Sequence, residues 1–256
     1  QDYGIIIFIK KYKQDEYNHH VLYYRVNPRR VLENHNYIGI FNSKNIDKLI
    51  KKFNILIKTV SPFLPEFDSC NISRIDYCSN VELNDQAVID SYINLLKRGY
   101  FPSKYTIKKY KNEKSKRNTL SKNGITIIGN NGIEVTYYNK YRQLKEKNPK
   151  CRYIDNSKKI IRIEIRCFKK KVRHLTKKFK CTSASSFLKE SDIIGKYIFK
   201  HYANIFYGTG DFYKLTDIYS MIDKSSCKKK SKKLMKELVK SSATHSSLDR
   251  AFDILN

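Results

Sequence analysis

Three short stretches of this sequence carry ionisable or hydroxyl side chains at every second position. Around Ile72 to Asn80, Arg74 and Asp76 fall on one side; from Ile133 to Lys140 it is Glu134, Thr136, Tyr138 and Lys140; from Lys159 to Phe168 it is Arg162, Glu164 and Arg166, opposite Ile161, Ile163 and Ile165. Successive side chains of an extended chain point to opposite faces. If the three stretches lie side by side, they make a basic surface with embedded carboxylates and a tyrosine. Phosphodiester transfer through a covalent phosphotyrosine uses such a set. A carboxylate pair can hold Mg²⁺ or Mn²⁺, hard ions that prefer oxygen ligands, and the metal then acts as a Lewis acid. A phenol with an ordinary pKa near ~10 needs help to ionise, which Lys140 on the same face would supply. Arginines beside it can grip phosphate oxygens in bidentate fashion. The solvated outer face of a half-exposed sheet shows the same alternation. Ion pairing could equally explain Arg74 with Asp76, or Glu164 with its arginines.

The elements that would position these residues read as follows. Ile5 to Ile9 and His20 to Val26 form a hairpin candidate around a polar turn, ended by Asn27-Pro28. Asn45 or Ser43 can cap a helix with Ile46, Leu49, Ile50, Phe53, Ile57 and Val60 at helical spacing, ended by Pro62 and Pro65. The strand Ile72 to Asn80 precedes a second helix, capped by Asn84, with Val88, Ile89, Tyr92, Ile93 and Leu96 buried and Gly99 past its end. Residues 103–122 read as a basic surface segment, with Lys104, Lys108, Lys109 and Arg117, candidate contacts to DNA phosphates, interleaved with Tyr105 and Tyr110. Ile125 to Ile128, the turn Gly129-Asn130-Asn131-Gly132 and Ile133 to Lys140 make a β-hairpin, because Asn and Gly accept positive φ. A polar connector leads to the strand Lys159 to Phe168. Helical segments follow near 170–179, 187–207, 211–223, 228–241 and 246–254. The expected fold is α+β, a largely antiparallel sheet with helices packed on one face, followed by an all-helical C-terminal extension.

With 256 residues, 40% of them hydrophobic, and 20 Tyr and 13 Phe, the chain can bury a substantial core. Its 52 Lys and Arg against 24 Asp and Glu leave a net charge of +28, which makes a polyanion, nucleic acid above all, the expected partner. No run approaches the ~18 apolar residues of a spanning helix, and the opening does not read as a secretory leader. Gln1 is followed almost at once by the apolar run Gly4 to Ile9, an opening that implies residues upstream. The six cysteines, at 70, 78, 151, 167, 181 and 227, form no CxxC pair and read as reduced thiols of a cytosol.

Four stretches resemble the replication-initiator endonuclease of filamentous bacteriophages, and more loosely the initiators of rolling-circle plasmids. Asn27-Pro28-Arg29-Arg30-Val31-Leu32-Glu33-Asn34-His35-Asn36-Tyr37-Ile38-Gly39 is similar to the family's Pro-x-x-Val-Leu-x-x-His-Asn-x-x-Gly, and Ile72-Ser73-Arg74-Ile75-Asp76 to its Ile-Ser-Arg-Ile-Asp. Tyr137-Tyr138-Asn139-Lys140 resembles its strand ending in Tyr-x-Lys, and Ile161 to Arg166 its Arg-aromatic-Glu-x-Arg strand. The resemblance spans about residues 20 to 170. It implies Tyr138 as nucleophile, the residue that alternation also selects, since Tyr137 falls on the apolar side with Ile133 and Val135. It further implies Asp76 and Glu164 as ligands of Mg²⁺ or Mn²⁺, and Lys140, Arg74 and Arg166 as phosphate handlers. His35 either completes the metal site or, with Asn36, fixes a turn. The His-hydrophobe-His pair of many rolling-circle nucleases is absent, because His19 and His20 are adjacent.

The expectation is therefore a rolling-circle replication initiator that nicks and rejoins single-stranded origin DNA through a 5′-phosphotyrosine. Residues 1–182 would form the nicking and joining domain, and residues 183–256 a helical C-terminal region. Host helicase and polymerase would be its partners in the cytoplasm of a bacterial cell. No GxxxxGK[ST] loop occurs, consistent with chemistry that needs no ATP. The alternatives are a non-catalytic single-stranded DNA-binding protein, or a relaxase or transposase of the same chemistry.

Overall fold

The structure is a computed structural model that describes residues 4–14, 17–33, 38–98, 104–111, 118–119, 121, 123–207, 215–224, 226 and 228–245. The N-terminal hairpin is built of β1 (Ile5–Gln14) and β2 (Tyr17–Val26), antiparallel and forming a two-stranded sheet of its own. Asn27 N–H donates to Gly4 O at 2.8 Å and closes its base. α1 (Pro28–Glu33) then starts on a proline, whose missing N–H would have had no partner in a first turn. α2 (Ile46–Val60) buries Ile46, Leu49, Phe53 and Ile57. Val60, grouped with that stripe in the sequence, is 66% exposed at the helix end. Phe53 meets Tyr24 of β2 edge-on at 5.2 Å, tying the helix to the hairpin.

β3 (Arg74–Glu82) leads into α3 (Gln86–Arg98). Asp85 caps this helix in place of the expected Asn84, its Oδ1 accepting from Val88 N–H at 2.9 Å. Val88, in that first turn, is consequently exposed, while Ile89, Ile93 and Leu96 are buried. Gly99 lies outside the described residues. The basic segment 103–122 contributes strands where only a surface stretch was expected. β4 (Tyr105–Ile107) pairs with β7 (Gly124–Gly129), and between them β5 (Tyr110–Lys111) pairs with β6 (Asn118–Thr119). Three residues among lysines carry too little alternation to read, yet Tyr105 buries its ring in the core.

β7 and β8 (Ile133–Asn139) form the expected hairpin, with Gly132 at φ +71 in its turn. The following residues, read as a polar connector, begin with α4 (Lys140–Lys147). The Asn139 side chain caps it by accepting from Arg142 N–H at 3.1 Å, and Leu144 is buried. One apolar anchor leaves no periodic signal. β9 (Ile160–Phe168) completes the main sheet, whose order is β3-β9-β8-β7-β4 with every pairing antiparallel.

After β9 the described chain is helical: α5 (Lys169–Lys178), α6 (Ala184–Lys189), α7 (Ser191–Tyr207), α8 (Leu215–Lys224) and α9 (Lys229–His245). The segment expected near 246–254 lies outside the described residues. One face of the sheet supplies Tyr77, Ile127, Val135, Tyr137, Ile163 and Ile165 to a core closed by Leu96 of α3, Val172 and Leu175 of α5, Phe187 of α6 and Ile194 and Ile198 of α7. This is the α+β arrangement expected, with helices on the apolar face. Among the described residues, no helix is long and apolar enough to cross a membrane.

Candidate active site

The face of the sheet opposite that core gathers the alternating polar residues in register. Asp76 pairs with Arg166, which pairs with Glu134; Cys78 pairs with Glu164, which pairs with Thr136; Asn80 pairs with Arg162, which pairs with Tyr138. In the next strand Gly124 lies opposite Tyr138, and a Cβ there would stand 2.7 Å from Tyr138 Cβ, so this position needs glycine. Tyr137 faces the other way and is 0% exposed.

Tyr138 Oη donates to Glu164 Oε1 at 2.5 Å. Burial first, and then the charge of Glu164, push the phenol well above its ordinary range, so the proton is held. Arg166 Nη2 donates to the other oxygen of Glu164 at 3.1 Å. The same guanidinium lies 3.3 Å from Glu134 Oε2 and 3.6 Å from Asp76 Oδ2, in the middle of three carboxylates. Arg74 holds Asp76 in bidentate fashion, through Nε at 2.8 Å and Nη2 at 2.5 Å. Lys140, the first residue of α4, is 4% exposed, with its Nζ 5.9 Å from the Tyr138 ring centre and 2.9 Å from Gln143 Oε1. Burial, then Arg162, push its ammonium down to about 8. Cys78, beside Glu164, is pushed up to about 12, chiefly by burial.

Tyr138, Lys140, Asp76, Glu164, Arg74 and Arg166 are therefore brought together. Lys108 Nζ pairs with Glu134 Oε1 at 3.1 Å on the far side of the same face. Lys104 and Lys109 are exposed, with Lys104 Nζ 5.6 Å from the Tyr105 ring centre. His35 and Arg117 lie outside the described residues. Asp76 and Glu164 are oxygen donors of the kind Mg²⁺ and Mn²⁺ take, but each is engaged by a guanidinium. Among the described residues, no group of three His, Cys, Asp or Glu is arranged to hold a metal ion. As the described side chains stand, they do not fit a divalent ion, and the cations that compensate the carboxylates are Arg166, Arg74 and Lys108.

Arg162 was legible as part of the polar strand but not as a site residue. It is 7% exposed, its Nε donates to Asn80 Oδ1 at 2.8 Å, and its Nη2 donates to Ile38 O, which also accepts from Asn80 Nδ2 at 2.9 Å. It thus fastens the chain at Ile38 to the polar face beside Tyr138. Glu134 and Gln143 also join the site only through strand pairing and the start of α4. The site opens into a cleft of about 1890 Å³ that runs past β3, with β2, α2, α5 and α7 contributing to its walls.

No protein-family model, curated protein or solved structure matches this chain.

Proposed function

We propose that the protein initiates rolling-circle replication, cutting single-stranded origin DNA with Tyr138 and later rejoining it. The observation that carries this reading is the Tyr138 hydroxyl bonded to Glu164 at 2.5 Å, among Arg74, Arg162 and Arg166, at the edge of a large cleft in a chain of net charge +28. Tyr138 Oη would attack a phosphorus atom and form an Oη–P bond as the P–O3′ bond breaks. The phenol proton passes to Glu164, the one carboxylate within hydrogen-bond reach of that hydroxyl among the described residues. The 3′ oxygen leaves and takes a proton from water in the cleft, while protonated Glu164 returns its proton to solvent, and the 5′ phosphate stays on the tyrosine. Arg166 and Arg74 would exchange carboxylate partners for phosphate oxygens, which guanidinium forks match equally well. A second attack, by the 3′ hydroxyl of the displaced strand, breaks the phosphotyrosine and reseals the circle. Host helicase and polymerase in a bacterial cytoplasm belong to the same proposal.

A second reading, a binding protein without catalysis, is favoured by one observation: the phenol is held protonated and both carboxylates are already paired. Incubation with single-stranded DNA of the element's own origin, with Mg²⁺, Mn²⁺ or neither, followed by a denaturing gel and peptide mapping, separates the two. A covalent adduct on Tyr138 that is lost in Tyr138→Phe, with DNA binding retained, supports the enzyme. Tight binding without cleavage in any arm overturns it in favour of the binding protein.

A further inference from the structure

Helix α5 is charged in a way that its own stability does not favour. Its first turn consists of Lys169, Lys170 and Lys171, with no acidic residue, at the end where the helix dipole disfavours cations. Lys169, Arg173 and Lys177 follow each other at intervals of four, a spacing at which like charges repel along one face. All three are exposed, and that face borders the cleft that reaches Tyr138, while Val172 and Leu175 anchor the helix in the core. Lys196 of α7 is exposed on the same cleft. Among the described residues, no acidic side chain pairs with any of these four cations. The carboxylates that share the cleft are engaged elsewhere: Asp76 by Arg74, Glu164 by Tyr138 and Arg166, Asp68 by Ser185 N–H at 2.9 Å, and Asp192 by Ser43 Oγ. Half-buried rings of Phe41 and Phe199 also border it, the side-chain type on which bases stack.

We infer that the cleft face of α5, Lys169, Arg173 and Lys177, is the track along which a single DNA strand is held on its way to Tyr138. The helical rise sets neighbouring cations of the track about 6 Å apart along the axis, a run of fixed positive charge that a phosphate backbone can follow. This deepens the proposed function and rests on it. Lys108, among the candidate phosphate contacts of the basic segment, already has its charge met by Glu134.

The test is fluorescence anisotropy of a labelled oligothymidylate over a series of salt concentrations. Each phosphate contact to a single strand contributes about 0.7 to the slope of log K against log salt. The triple variant Lys169→Gln, Arg173→Gln, Lys177→Gln is expected to flatten that slope by about 2. The variant Lys48→Gln, Lys51→Gln, Lys52→Gln on α2 removes the same charge from exposed positions off the cleft and should leave the slope as it is. A charge-preserving triple, Lys169→Arg, Arg173→Lys, Lys177→Arg, should bind like the wild type, which separates lost contacts from a damaged helix. Equal flattening by the α5 and α2 glutamine variants, or none by either, overturns the track. If the wild type nicks origin DNA in that case, the proposed function stands without it. A wild type that binds no oligonucleotide overturns both.

Discussion

Replacing Lys140 by methionine should stabilise the protein at neutral pH and lose that advantage in alkali. The side chain is 4% exposed and its ammonium titrates at about 8 in place of its ordinary 10.5. That difference corresponds to about 3 kcal/mol at ~1.4 kcal/mol per pH unit. Because the folded pKa lies below the unfolded one, the cost is full below pH 8, where both states are protonated, and disappears as pH rises towards 10.5. Methionine fills a similar volume without the charge, but gives up the bond to Gln143 Oε1, worth about 1 kcal/mol. Lys140→Met is therefore expected to gain about 2 kcal/mol at pH 7 and to change stability little near pH 10, where the roughly 1 kcal/mol of cost that remains is offset by the lost bond. Urea unfolding of both proteins at the two pH values measures this directly. A variant destabilised at pH 7, or shifted equally at both values, would refute the argument that burial holds this ammonium down. A positive result would mean that the fold carries a costly cation beside Tyr138, which a purely structural residue would not need.

Three other positions in the sheet give further checks. Tyr137→Ala removes a ring that is 0% exposed in the middle of the core, and should cost about 3–5 kcal/mol in chemical unfolding. Tyr137→Phe should leave nicking intact if Tyr138 is the nucleophile. Cys78 and Cys167 have thiols pushed up to about 12 by burial, so iodoacetamide at pH 8 should spare both in the folded protein and modify them in urea. Labelling of Cys167 at the unfolded rate without denaturant would contradict the packing of β9 against α5.

The sequence by itself determined which side chains share a face. Alternation is a local property of extended backbone, so Arg74 with Asp76, Tyr138 apart from Tyr137, and Glu164 between Arg162 and Arg166 could all be read without knowing which strands meet. The same holds for the β7–β8 turn, written in Asn and Gly, and for the helices with several apolar residues in phase. Where the apolar signal was short the reading failed: β4 has three residues among lysines, and α4 rests on Leu144 and its Asn139 cap. Only the tertiary structure decided which strand lies beside which and in what register, because pairing is settled by burial of the opposite face and not by the polar residues themselves. It is the register that sets Arg162 opposite Tyr138, brings Glu164 to the Tyr138 hydroxyl across 26 residues of sequence, and centres Arg166 on three carboxylates. It is packing that buries Lys140 and turns the cationic face of α5 onto the cleft. Charge and residue type are written along the chain; which charges meet, and which stay exposed, depends on long-range contacts that no local pattern carries.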